Sequence, residues 1–401
     1  MNKTVRILFA IASGFAVGNL YFMQPLLGAI TKDLGTTATQ NGWLVTAIQL
    51  GYAAGIVLLL PIGDVRSRKH FVPLMVTLAG FGQMAVGLVP GFSALLVAVF
   101  AVGFTTISGQ ILVPLTGELS DDSNRGRNVA FVVSGMIIGI LGARTISGLL
   151  SDVIGWHLTF VCIGLANLVL AYALYRVIPV LAPKPAIAYP RLVGGTFTLL
   201  WQNKWAWRTM AINASALVIF SAVWTSITFL LSGAPFHQTS GQIGLWGLVG
   251  IVGAIGARNT GRLIDSGKAE LGAKIAWIVT TVAMVVGSFA EQSLWYLVVQ
   301  LILMDAAGQA IGVTNQTRLI ASFPSARSRV NAGYVMHNFL GAAAGSALAS
   351  ALWESAGWAG IQLMGAGLCA VALMLWELNR RTLPQPGAAA GAGSGAKPTK
   401  A

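Results

Sequence analysis

Apolar runs of about 18–25 residues recur along the whole chain, parted by short polar stretches. Each is long enough to cross a hydrocarbon core ~30 Å thick. The pattern predicts twelve spans, over 5–30, 42–63, 71–89, 93–117, 129–151, 158–177, 209–231, 241–262, 272–290, 294–317, 333–353 and 360–378. In lipid only helices and closed barrels satisfy every backbone group, and these runs lack the two-residue alternation of a barrel strand. The spans are therefore read as helices, and the chain as an all-α membrane protein.

The pattern also repeats. Arg125-Gly126-Arg127 precedes the fifth span, which ends at Asp152 and Gly155-Trp156; Arg327-Ser328-Arg329 precedes the eleventh, which ends at Glu354 and Gly357-Trp358. Every one of these pairs is 202 residues apart. The spans thus fall into two parallel, pseudo-symmetric six-helix bundles, 1–178 and 209–383. A proline-containing linker over 179–208 joins them, and a low-complexity tail, 384–401, follows. Such repeats suit a transporter that rocks two bundles around a central site.

Composition agrees with a membrane class: 9% charged and 55% hydrophobic residues, with mean hydropathy +0.74. The net charge of +13 would suit a nucleic-acid binder, but its distribution argues against one. With the N-terminus inside, Lys3, Arg6, Arg66, Arg68, Lys69, Arg125, Arg127, Lys204, Arg327, Arg329 and Arg380 all fall on one side of the membrane, while the opposite loops hold little beyond Lys32. That is the positive-inside pattern, and it puts both termini in the cytoplasm of a bacterial inner membrane. Lys3 and Arg6 ahead of an apolar run resemble a signal peptide, but the run continues to Ile30, so it is read as an uncleaved first helix. Cys162 and Cys369 lie in separate spans and are read as inert packing.

The second span runs into Asp64-Val65-Arg66-Ser67-Arg68-Lys69, and the eighth into Gly261-Arg262-Leu263-Ile264-Asp265-Ser266-Gly267-Lys268. Both resemble the Gly-x-x-x-Asp-Arg-x-Gly-Arg-Arg loop that the major facilitator superfamily carries between helices 2 and 3 and, more weakly, between helices 8 and 9. Asp64, Arg68 and Lys69 are kept; Leu60, Val65 and Ser67 replace the first glycine, a basic residue and the second glycine. Asn19–Leu26, Gly142–Gly148 and Ala326–Asn331 resemble the branch near the bacterial drug and metabolite efflux proteins. The helix-5 signature of drug:proton antiporters is half present: Gly135 and Gly139 fit it, but Ile140 stands where proline is expected.

The resemblance implies alternating access, with helices 1, 4, 7 and 10 around a central cavity. Among the residues of these spans and their neighbours, Tyr21, Gln24, Gln49, Thr106, Gln110, Trp224 and Gln309 are the candidate cavity lining. It also implies a cytoplasmic gate in which Asp64, with Arg68 and Lys69, holds the eleventh span near Arg327 and Arg329. By the repeat, Asp265 would hold the fifth span near Arg125 and Arg127.

Two residues stand apart on the sequence alone. Asp305 is the one acid deep inside a span, and Arg144 the one base. At 1.5 Å per residue each lies about 21–22 Å from its span's cytoplasmic end, so the two can pair. Charges at membrane depth are costly and are retained for substrate contact or ion coupling, or as a static bridge between the bundles. The eighth span carries Gly241, Gly244, Gly247, Gly250, Gly253 and Gly256, and three residues turn an α-helix about 300°, so these glycines are expected to wind around it.

No Ser-His-Asp set, metal spacing or phosphate loop supports an enzyme, and no cofactor is expected. The reading is a monomeric, proton-coupled exporter of small amphipathic molecules. An importer or facilitator of a small organic solute, an organic anion included, is the alternative.

Overall fold

The computed structural model describes residues 1–181, 189, 194, 203–250, 269–324 and 326–380. The linker (two residues aside), the second half of the eighth span with Asp265, and the tail lie outside the described residues, as does the side chain of Asp64. Among the described residues the secondary structure is helical. We number the helices α1 (Lys3–Gly18, continued after a break by Leu27–Leu34), α2 (Ala38–Leu58 with Leu60–Val65), α3 (Arg68–Leu88) and α4 (Phe92–Thr105 with Ser108–Glu118). The continuous Arg125–Val177 segment supplies α5 and α6, parted at Gly155. Then follow α7 (Lys204–Ser232), α8 (opening with Ser240–Leu245), α9 (Ala269–Gly287) and α10 (Leu294–Ser322). Arg327–Arg380 supplies α11 and α12, parted at Gly357.

Eight described segments are long and apolar enough to cross a membrane. Two of them are the double helices parted at Gly155 and Gly357, and the broken α1 and the partly described α8 account for the remaining two of the twelve expected spans.

The repeated Gly-Trp pairs have a local explanation. Gly155 (φ 77°) and Gly357 (φ 57°) occupy the left-handed region, which lets the chain reverse between consecutive helices. A Cβ at either would meet nothing within 4 Å, so the requirement is conformational. The tryptophan after each anchors the turn: Trp156 Nε1 donates to Asp33 Oδ2 at 3.2 Å, and Trp358 Nε1 to the Gly287 carbonyl at 2.7 Å.

Each bundle has its own buried apolar cluster, one drawn mainly from α1–α6 and the other from α7–α12. Small residues set the closest approaches, as expected where lipid is as apolar as leucine. A Cβ at Gly135 or Gly139 of α5 would collide with the α1 backbone at Ala10 or Gly14. Gly341 and Gly345 of α11 meet α7 at Ala214 and Val218 in the equivalent way. Between bundles, α2 packs on α11 and α5 on α8: Gly42 abuts Ser350, and Gly148 abuts Ser240.

Two breaks interrupt the first bundle side by side. α1 stops at Gly18 and α4 at Thr105, and buried side chains bridge the gap. Asn19 Nδ2 donates to Thr106 Oγ1 (2.9 Å), Thr106 Oγ1 donates to the Ala16 carbonyl (2.9 Å), and Gln83 Nε2 donates to Asn19 Oδ1 (3.2 Å). Polar groups freed in lipid must find partners, and this network supplies them.

Candidate transport site

The break in α1 turns Tyr21 and Gln24 toward α5, where they meet Arg144. Arg144 as a whole is 2% exposed. Its Nε donates to Gln24 Oε1 at 2.7 Å and its Nη1 to the Ile140 carbonyl at 3.3 Å. Aromatic rings surround it, with centroids 4.1 Å (Trp224), 4.5 Å (Tyr21) and 5.9 Å (Phe220) from its Cζ. Ring faces partly replace the hydration that a buried cation gives up. Nη2 nevertheless has no hydrogen-bond partner, and neither does the buried Gln24 Nε2.

Asp305 enters from α10 and is half-buried, with Oδ1 shut from solvent and unpartnered. Arg144 and Asp305 are near enough to act on one another as charges, yet no direct ion pair joins them. Trp224 lies against both: its ring covers Arg144, and its indole reaches toward the Asp305 carboxylate without a well-formed hydrogen bond. One cation, one anion and a set of unsatisfied donors therefore meet where α1, α5, α7 and α10 converge.

The glycines of α8 fit against this cluster. A Cβ at Gly244 would strike the Arg144 carbonyl; at Gly247 it would stand 3.3 Å from Arg144 Cβ, and at Gly250 2.8 Å from Asp305 Oδ2. At least these three, with Gly241 beside Asp152, face α5 and the site, so the expectation that the glycines wind around α8 does not hold for its described part. The reason is geometric. Trp246–Leu248 forms a 3₁₀ turn, with three residues per turn, which brings positions three apart onto one face.

Of the other expected lining residues, Gln49, Thr106 and Gln110 have partners in the interior. Gln49 Nε2 donates to Ser221 Oγ at 3.2 Å across the bundles, and Gln110 Nε2 donates to the Tyr52 hydroxyl at 3.1 Å. Thr106 is engaged inside the first bundle at the α4 break. Gln309 is exposed one turn along α10 from Asp305. Phe220 is not singled out by sequence, and Gly247 and Gly250 stand out there only as members of the glycine series of the eighth span; Phe220 sits four residues before Trp224, a spacing that places both on one helix face.

At the end of the molecule where α2 and α8 begin, here the far face, the bundles are joined by two equivalent contacts. Asp152, near the end of α5, accepts from Thr239 Oγ1 (2.6 Å) and the Gly241 amide (3.0 Å) at the start of α8. Glu354, near the end of α11, accepts from the Thr39 amide (3.1 Å) at the start of α2. The receiving helix starts match too, with capping boxes Thr37/Gln40 and Thr239/Gln242 again 202 residues apart. Thr145 Oγ1 to the Gly244 carbonyl (3.0 Å) and Thr46 Oγ1 with Ser346 Oγ (2.8 Å) continue the two seams.

On the opposite face, which carries the N-terminus, Arg68 is buried and bonds Glu118 at 2.5 Å, tying α3 to α4 within one bundle. Lys69 lies over the Tyr175 ring at 5.8 Å, and Arg125 pairs with Asp122 at 3.1 Å. Arg127, Arg327 and Arg329 are exposed.

The family model for the Major Facilitator Superfamily matches residues 9–317. An uncharacterized transporter of Escherichia coli O157:H7, YgaY, is 35% identical over 376 residues, covering 94% of this chain and 95% of that one. A probable transporter of Streptomyces coelicolor, SCO4007, is 31% identical over 369 residues, covering 91% and 83%. Among solved structures, a bacterial homolog to the human lysosomal transporter Spinster, inward-facing and occupied, has the same fold at TM-score 0.75 and 15% identity, over 95% of this chain and 97% of that one. The chain belongs to the major facilitator superfamily of membrane transporters.

Proposed function

We propose that this transporter exports small, partly apolar molecules by alternating access, and that Asp305 carries the coupling proton. The observation that carries the reading is the Asp305 carboxylate: deep in the membrane-spanning region, at the meeting of four helices, with one oxygen unpartnered and Arg144 nearby but not bonded to it. A carboxylate so placed gains from taking up a proton whenever the compensating cation is drawn away, which suits a group that cycles between two states. The aromatic surface of Tyr21, Phe220 and Trp224 suits solutes with apolar parts. Export is supported by the resemblance to the efflux branch, and the distribution of Lys and Arg supports cytoplasmic termini in a bacterial inner membrane. The proposed gate on the N-terminal face comprises Asp64 and Asp265 with Arg68, Lys69, Arg125, Arg127, Arg327 and Arg329.

One observation favours a second reading. The Arg144 Nη2 is buried and unpartnered among aromatic rings, a setting that would receive a carboxylate, so import of a small organic anion is the alternative. Purified protein reconstituted in vesicles with an imposed pH gradient separates the two. Export predicts that the gradient drives solute out of the compartment equivalent to the cytoplasm, with anionic and neutral amphipathic compounds both accepted. Net accumulation restricted to anions in the opposite direction would overturn the export reading.

A further inference from the structure

The outer surface of the first bundle carries an apolar groove of about 470 Å³ between α1, α5 and α6. Its floor is backbone rather than side chain. Gly135 and Gly139 bring α5 against α1, while a Cβ at Gly142 would meet nothing closer than Ile146 Cδ1 at 3.9 Å. Phe15 and Phe22, 6.2 Å apart, form one wall, and Ile138 and Ile146 stand largely exposed along the other. The groove opens onto hydrocarbon when the protein is in a bilayer.

At the N-terminal face it runs into a second recess lined by Arg6, Arg127, Ala130, Phe131 and Ser134; Phe131 and Ser134 line both. Arg6 is held over the Phe131 ring at 4.9 Å and by Asn128 Oδ1 at 3.0 Å, and its Nε is buried without a partner. Neither Arg6 nor Arg127 has an ion pair among the described residues. The carboxylates of the α4–α5 connection are engaged elsewhere, Asp122 with Arg125 at 3.1 Å and Asp121 with the chain's amino group at 3.7 Å.

We propose that this groove is a binding site for an anionic glycerophospholipid of the leaflet on the N-terminal face, with its phosphate between Arg6 and Arg127 and an acyl chain laid along α5. Length supports the occupant. From Phe131 to Gly142 is about 16 Å of helix, close to half of a ~30 Å hydrocarbon core, which is the reach of one leaflet's acyl chain. Charge supports it as well: two unpaired arginines at the water boundary select an anionic headgroup, each by roughly fivefold in affinity. The site is separate from the Arg144–Asp305 cluster and shares only Arg127 with the proposed gate.

Native mass spectrometry of the detergent-solubilised protein, titrated with phosphatidylglycerol, phosphatidylethanolamine and glycerol phosphate, tests the assignment. Wild-type protein should retain phosphatidylglycerol at least about tenfold better than phosphatidylethanolamine and should not retain glycerol phosphate. The variant R6Q/R127Q should lose that preference. Gly142→Leu, which fills the groove floor, should weaken retention of both lipids. An unchanged preference in R6Q/R127Q, unchanged retention in Gly142→Leu, or retention of glycerol phosphate alone would each overturn the proposal. Should the double variant fail to fold because Arg6 also holds Asn128, the single variant R127Q, whose side chain is exposed, gives the same readout with an expected loss of about fivefold.

Discussion

In the proposed reading Asp305 and Arg144 carry the chemistry at the scale of single residues, and each yields a measurable expectation. Asp305→Asn should abolish pH-driven concentration of solute in vesicles while solute exchange across the membrane persists; full gradient-driven transport by this variant would exclude Asp305 from coupling. Because the two charges sense each other without a direct bond, Arg144→Gln and Asp305→Asn should be coupled, at the lower end of the ~0.5–3 kcal/mol typical of interacting neighbours. A thermal-unfolding double-mutant cycle reads that value, and additivity of the two changes would mean separate roles. Both residues were legible in the sequence because a lone charge within an apolar run has few explanations. Tyr21, Gln24 and Trp224 were candidates through the family resemblance, but the remaining contacts of the cluster were not legible. A phenylalanine such as Phe220, or a glycine such as Gly250, is ordinary in a membrane helix, and its meaning comes from what another helix places beside it. Thr106 shows the converse: it was a candidate for the cavity lining, but α4 breaks beside it and Thr106 serves the break instead.

Helices behave as the sequence predicts wherever their pattern is continuous, and depart from it where backbone geometry changes. The twelve apolar runs and the Gly-Trp turns at Gly155 and Gly357 were legible; the breaks in α1 and α4 were not, since they depend on Asn19, Gln83 and Thr106 meeting across the bundle. In α8 the 3₁₀ turn aligns Gly244, Gly247 and Gly250 on the site, leaving no room for a side chain against the α5 backbone. Gly244→Leu should therefore destabilise the conformation described here by about 1–3 kcal/mol, the usual cost of overpacking a close contact. Its signature would be increased labelling of a cysteine introduced at Gln24 by a membrane-impermeant reagent added at the far face. Wild-type labelling would show that α5 and α8 do not need this approach.

Across the whole molecule, the two seams at the far face hold the bundles together while the Arg144–Asp305 cluster lies deeper between them. Asp152→Asn combined with Glu354→Gln should favour the conformation open at the far face, whereas Asp64→Asn, if the proposed gate operates, should favour the opposite one. Paired cysteine-accessibility profiles distinguish these shifts, and identical profiles in both variants would exclude both assignments. The far-face seam should also respond to acid. The Thr39 amide, followed by the Thr39 and Thr37 hydroxyls, holds the Glu354 carboxyl below its ordinary value. A carboxyl lowered in the joined state stabilises that state above its ordinary pKa, near 4.3, and the contribution is lost as pH falls through the lowered value. Far-face labelling should thus stay flat from pH 7 down to about 4.3 and rise only as the pH at that face falls below it, and Glu354→Gln should blunt the rise; an identical response in the variant would remove Glu354 as the titrating group.

The glycine turns at 155 and 357 have one more consequence. Each follows an acidic residue by three positions, so Asp152 and Glu354 sit in the last turn of α5 and α11, where the helix's own exposed carbonyls repel negative charge. The start of a helix in the other bundle, with its outward amides, offers the opposite polarity. Joining the bundles therefore relieves a conflict that each carries internally, and separating them restores it in both at once. Duplication of one six-helix unit would have supplied both halves of this arrangement together, the misplaced acid and the helix start that accepts it.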